Sequence, residues 1–275
     1  MKRLLILLLA PVLIALLPMT ASAQKASAES IKKLLTVSGQ FDQMKNLSDG
    51  VRHHLVRKAK EAKPQITDEQ AKAEAEAELD KMIDEITELT VPYYSCLSES
   101  ECNKLIAEMS TPKGKDIMSR INKVNEEAQR EVTPVLGKFM EARMSGKTPE
   151  TVKTDETTPE MKKAFDKYCN IVDPVGIFEN AINGMKQVFL NSSQGANTEM
   201  IEQMINSLSD YANKNAKAII FNIVNKSLTV DDMHYLVNLY STPAGKHLCK
   251  ANKKFSADAF NFGMKVNEVI QKRIR

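Results

Sequence analysis

Apolar residues recur at intervals of three and four along most of the chain, and long stretches run without Gly or Pro. That is the period of an amphipathic helix. Alternation of Val, Ile and Thr at period two is missing, while Ala, Glu, Lys, Leu and Met dominate, residues suited to helices. The pattern predicts an all-α protein. A first helical region covers about residues 28–62, with a break near Ser38-Gly39. A second opens at Thr67, whose hydroxyl caps the helix while Gln70 reaches back to it. It continues through AKAEAEAELDKMIDEITEL toward Pro92, with a charged, solvated face. Ser98 and Glu101 form another capping box, before a short helix that places Cys102, Leu105, Ile106 and Met109 on one face.

From Met144 to Glu160 the chain reads MSGKTPETVKTDETTPE, with Gly146, Pro149, Pro159, many Thr and no apolar period. This is a linker signature. It divides a first helical domain at 24–145 from a second at 161–275, with the linker at 146–160. Helices are expected to resume over 161–169, 175–190 and, beyond the polar NSSQGAN, 197–226. The last ones follow Thr229-Val230-Asp231-Asp232 and Thr242-Pro243.

The two halves are related. Residues 96–128 align without a gap on 227–259, with nine of thirty-three positions identical, and their apolar positions correspond. Upstream the likeness fades, with Ile31-Lys32-Lys33 and Met161-Lys162-Lys163 as its other end. At the centre of the repeat lie STPKGK (110–115) and STPAGK (241–246). The Gly-Lys pair suggests a phosphate loop, but spacing excludes it. That motif needs an earlier Gly where Met109 and Tyr240 stand, and a hydroxyl after Lys where Asp116 and His247 stand. A structural role explains every position instead. Thr111 and Thr242 act as N-caps, and Pro112 and Pro243 take the first helical position, where no amide hydrogen is needed. Gly114 and Gly245 allow close approach to the helix just ended. The expected architecture is two tandem related bundles built on helix-turn-helix hairpins and joined by the polar linker.

The N-terminus changes the setting. Lys2 and Arg3, the apolar run Leu4 to Leu17 and the small-residue site Ala21-Ser22-Ala23 have the order of a cleavable secretory signal over residues 1–23. Without it no segment is expected to span a membrane, and the charge falls from +3 to +1, 36 bases against 35 acids. A near-neutral chain has no general electrostatic case for nucleic acid. Cys96, Cys102, Cys169 and Cys249 are an even set in an exported chain, so disulfides are expected, with Cys96–Cys102 and Cys169–Cys249 keeping each bridge inside one repeat. Buried free thiols are the competing reading.

No catalytic motif, cofactor site or metal-ligand spacing appears: His53, His54, His234 and His247 are scattered, and HExxH, CxxC and GxSxG are missing. The Met residues read as core filling, and Tyr93-Tyr94 as packed against the hairpin. The sequons at Asn46, Asn191 and Asn225 matter only in a eukaryotic secretory pathway.

The hairpin resembles the bacterial domain of unknown function 2059, a small helical domain of exported proteins. The resemblance lies in a capped short helix that ends in an aromatic and Ser, then x-Pro-x-Gly-Lys and a further helix. Leu239-Tyr240-Ser241-Thr242-Pro243-Ala244-Gly245-Lys246 is the closer copy; Glu108-Met109-Ser110 lacks the aromatic. It covers about residues 80–135 and 210–268, and it implies export and a helical fold in a bacterial envelope setting. It brings no reaction or ligand. The function expected is a non-catalytic interaction or assembly module whose partners are envelope proteins. The alternatives are a carrier or sensor of an apolar small molecule or lipid, and a hydrolase using unremarkable acids.

Overall fold

A computed structural model describes residues 24–176, 179–180 and 198–274. The signal at 1–23, most of the helix expected at 175–190, the loop NSSQGAN and the sequon Asn191 lie outside them. The described residues are all-α, with no strand among them. The helices are α1 (Ala28–Val37), α2 (Gln40–Ala62), α3 (Asp68–Thr90), α4 (Glu99–Met109), α5 (Pro112–Met144), α6 (Pro159–Val172), α7 (Thr198–Ser227), α8 (Val230–Ser241), α9 (Pro243–Ala257) and α10 (Ala259–Ile274). A 3₁₀ turn at Val91–Tyr94 joins α3 to the segment before α4. Among the described residues no helix is long and apolar enough to cross a membrane.

The starts of these helices follow local chemistry. Complete capping boxes open α3 at Thr67 and Gln70, α4 at Ser98 and Glu101, and α8 at Thr229 and Asp232. In the paired hexapeptides, the Thr111 hydroxyl accepts from the Gly114 amide and the Thr242 hydroxyl from the Gly245 amide, both at 3.0 Å. Pro112 and Pro243 begin α5 and α9. Between α1 and α2, Gly39 takes a left-handed φ of 76°. Its missing side chain leaves room for the Asn122 amide of α5, which donates to Ser38 O at 3.1 Å.

The repeat extends through the fold. α1 packs on α4, and α6 packs on α8. Ile31, Leu34 and Leu35 of α1 are buried as Met161, Ala164 and Phe165 of α6 are, 130 residues on. The hairpins α4-α5 and α8-α9 correspond at 131, so the outer helices have slipped by one residue against them. α5 is one continuous helix, whereas its counterpart breaks at Asp258, between α9 and α10.

The halves are interlocked. α5 of the first packs along α7 of the second, while α10 of the second lies on α2 and α3 of the first. One buried cluster accordingly holds Ile31, Leu34, Tyr94, Leu105 and Met109 together with Phe165, Val224, Met233, Leu236 and Leu248. Tyr93 and Tyr94 are buried, but across the halves as well as beside their own hairpin. Tyr93 stands edge-on to Phe255 and Phe262, at 5.2 and 6.2 Å between ring centres. The Tyr94 hydroxyl bonds to the side chains of Gln40 and Asn252, at 2.8 and 2.9 Å. Such a partner is what a buried phenol requires. The buried Met109, Met118, Met161 and Met233 fill core positions.

At Gly245 an added Cβ would lie 2.2 Å from Leu239 O and 2.6 Å from Tyr240 Cα. Gly137, exposed in α5, has nothing within 4 Å of that position. Gly245→Ala is therefore expected to lower stability by about 1–3 kcal/mol through overpacking. Gly137→Ala is expected to raise it by up to about 1 kcal/mol through helix propensity. Urea denaturation of both variants checks the contrast; stabilisation by both would remove the close-packing account of the hexapeptide.

Candidate functional site

Two polar arrangements stand out from the helix packing. The first lies where the repeats meet. Glu101 and Asp232 occupy the same position of the repeat, the third residue of α4 and of α8, and each completes a capping box. Each carboxylate also reaches the opposite half. Asp232 accepts from Thr229 N at 2.8 Å and is clasped by both Arg120 amino groups, at 2.7 and 3.0 Å. Arg120 further donates to Ser227 O at 3.3 Å and to Asp116 at 2.7 Å. Glu101 accepts from Ser98 N at 2.9 Å and meets His247 Nδ1 at 2.8 Å. Burial works against the Asp232 charge, but the Arg120 guanidinium and the Thr229 amide and hydroxyl outweigh it and hold the carboxyl at about 2. This constellation is a helix start and an ion pair, with no nucleophile in it.

The cysteines do not form the expected bridges. All four are free thiols, Cys96 exposed, Cys169 half-buried, and Cys102 and Cys249 buried. Cys102 faces inward from α4 as part of its apolar stripe, while Cys96 precedes the helix at the surface and donates weakly to His247 O at 3.6 Å. Burial pushes the Cys102 and Cys249 thiols up to about 11 and the Cys169 thiol up to about 12. They are held as neutral thiols, poor nucleophiles near pH 7. Pro112 and Gly114, and Pro243 and Gly245, lie at two separate hairpins. The first hairpin touches the other half: Tyr235 Oη donates to Glu108 O at 3.2 Å, and a Cβ on Gly114 would come within 2.8 Å of the Tyr235 hydroxyl. Among the described residues no group of three or more His, Cys, Asp or Glu is placed to hold a metal ion.

The second arrangement is one that sequence reading passed over. Residues 150–157, inside the linker, run extended beside α7 and are gripped by its asparagines. The Val152 amide donates to Asn215 Oδ1 at 2.6 Å. Asn222 takes the Asp155 amide at 2.8 Å and gives its own to Lys153 O at 2.9 Å. Asn225 donates to Glu156 O at 3.1 Å and accepts from the Thr157 hydroxyl at 2.5 Å. Tyr211 Oη donates to Glu150 O at 2.5 Å, and Lys226 pairs with Asp155 at 3.3 Å. Asn215, Asn222 and Asn225, spaced by seven and three, share one helix face, and that spacing was the available signal. Asn225 of the sequon is engaged here.

No family model, no curated protein and no solved structure matches the chain.

Two outcomes follow from this geometry. Asp232 has a folded value below its ordinary 3.8, so its pairing stabilises above pH 4 and is lost as pH falls toward 2. Asp232→Asn is expected to cost about 2 kcal/mol at pH 7 and far less at pH 2; an equal cost at both, by thermal unfolding, would place the effect in packing alone. A thiol reagent should titrate Cys96 quickly in the native protein and all four cysteines only in denaturant. Fewer than four in denaturant under non-reducing conditions would restore the disulfide reading.

Proposed function

We propose that the chain is an exported, non-catalytic interaction or assembly module of the bacterial cell envelope, related to the helical domain that its hairpins resemble. The observation that carries the reading is the asparagine ladder, which already binds an extended stretch of polypeptide through its main chain. Asn222 offers donor and acceptor together, the complement of a backbone peptide unit, while Asn215 accepts from an amide and Asn225 donates to a carbonyl on the same helix face. The perturbed side chains support it from the other side. The buried thiols and phenols are driven toward their neutral forms, and the Asp232 carboxylate is committed to a helix start and an arginine. These groups are tied to core packing and to helix capping. The signal-like residues 1–23 support an envelope or secreted location.

Chemical cross-linking in intact cells of the source organism, followed by purification of the full chain and mapping of the cross-linked peptides, tests this. A reproducible protein partner joined through α7 or the adjacent linker is expected, with recovery reduced at least about tenfold in Asn222→Ala/Asn225→Ala by loss of paired hydrogen bonds. A chain that stays unlinked to any other protein contradicts the proposal.

A further inference from the structure

The face of α7 that holds residues 150–157 has the properties of a docking groove. Its contacts are to main-chain atoms, at Glu150 O, Val152 N, Lys153 O, Asp155 N and Glu156 O. Side chains are read at three places only. Val152 is half-buried against the core, Asp155 meets Lys226, and the Thr157 hydroxyl meets Asn225. Glu150, Thr151, Lys153, Thr154 and Glu156 point to solvent.

The register is that of a chain laid straight along a helix. Tyr211 to Asn225 spans about 21 Å at the helical rise, and seven extended residues span about 23 Å. Strap and helix therefore run parallel and in step from Glu150 to Thr157.

The groove also needs an occupant. Asn215 is 1% exposed, and its Nδ2 is committed to Tyr211 O at 2.7 Å, so its Oδ1 depends on the Val152 amide. A buried carbonyl left without a donor is costly. The strap, however, is held by a single apolar anchor, by polar contacts to its main chain and by one exposed ion pair, and a second extended segment can make the same contacts in its place. Resident and incoming segments can thus exchange, while an empty groove is disfavoured.

We infer that α7 is a docking site for an extended partner polypeptide that carries a β-branched apolar residue, an acid three positions on and a hydroxyl five positions on, with residues 150–157 as its built-in competitor. This rests on the interaction reading above and names the partner's chemistry. A strap tethered at both ends competes at high effective concentration, so it sets the threshold a partner must exceed.

The test uses the full chain with residues 150–157 replaced by an equally long Gly-Ser run, and a fluorescent peptide of residues 149–158 as the probe. Anisotropy should show saturable binding to the replaced chain, at least about tenfold tighter than to the unaltered chain, whose own strap competes. Binding should be lost in the replaced chain bearing Asn222→Ala/Asn225→Ala and for a peptide with Val152→Asp. No saturable binding to a replaced chain of native helicity overturns the inference, as does binding that survives both changes. Should the replaced chain not fold, hydrogen exchange on the unaltered protein decides. The Val152 and Asp155 amides should exchange at least about a hundredfold faster than core amides of α4 and α8, by local release. Equal protection overturns the inference. The cross-linking experiment separates the two readings: a partner joined through another face, with no peptide binding, removes the groove and leaves the interaction module standing.

Discussion

An acidic side chain at the third position of a short helix is the constraint on which this architecture turns. Glu101 and Asp232 each close a capping box, which fixes where α4 and α8 begin. The Asp232 side chain is 9% exposed, and a carboxylate so enclosed is stable only with a partner. The cation it meets, Arg120, belongs to the other repeat, as does the His247 that meets Glu101. The start of each short helix and the register between the repeats are therefore set by the same carboxylates. Neither half supplies the basic side chain that its own capping acid meets.

The shared core follows from that junction. With α4 and α8 fixed against each other's hairpins, the continuations of those hairpins lead away from their own repeats. α5 runs onto α7, and α10, after the break at Asp258, turns onto α2 and α3. Asp258 has a local reason to be the breaking point. Its carboxylate accepts from the Tyr93 hydroxyl and from Asn261 Nδ2, holding the turn between α9 and α10. Glu127, at the matching place in α5, lies inside a continuous helix.

Much of this was legible in the chain and some was not, for physical reasons. Helix period, two capping boxes, the cap at Thr229, the break at Gly39 and the Pro and Gly positions of the hexapeptides are local signals, and each is found where the sequence places it. An apolar stripe states that a face is buried but not against which element. The pattern of α5 thus could not reveal α7 as its partner. The bridges expected from an even cysteine count behind signal-like residues do not form, because Cys102 and Cys249 serve as small apolar core residues. The strap carries only the composition of a plain linker because main-chain binding leaves no mark in a segment's own sequence. Its signature was on the partner helix, where Asn on one face passes easily for a solvated surface.

The two repeats share one core and are expected to unfold together. Cys102 in the first and Cys249 in the second are buried reporters, one on each side. Pulsed thiol labelling across a urea titration, with each cysteine resolved by mass spectrometry, measures when each becomes accessible. A shared core predicts coincident midpoints for Cys102 and Cys249, as an all-or-none transition requires. Separate midpoints, with one thiol exposed while the other stays protected, would contradict it.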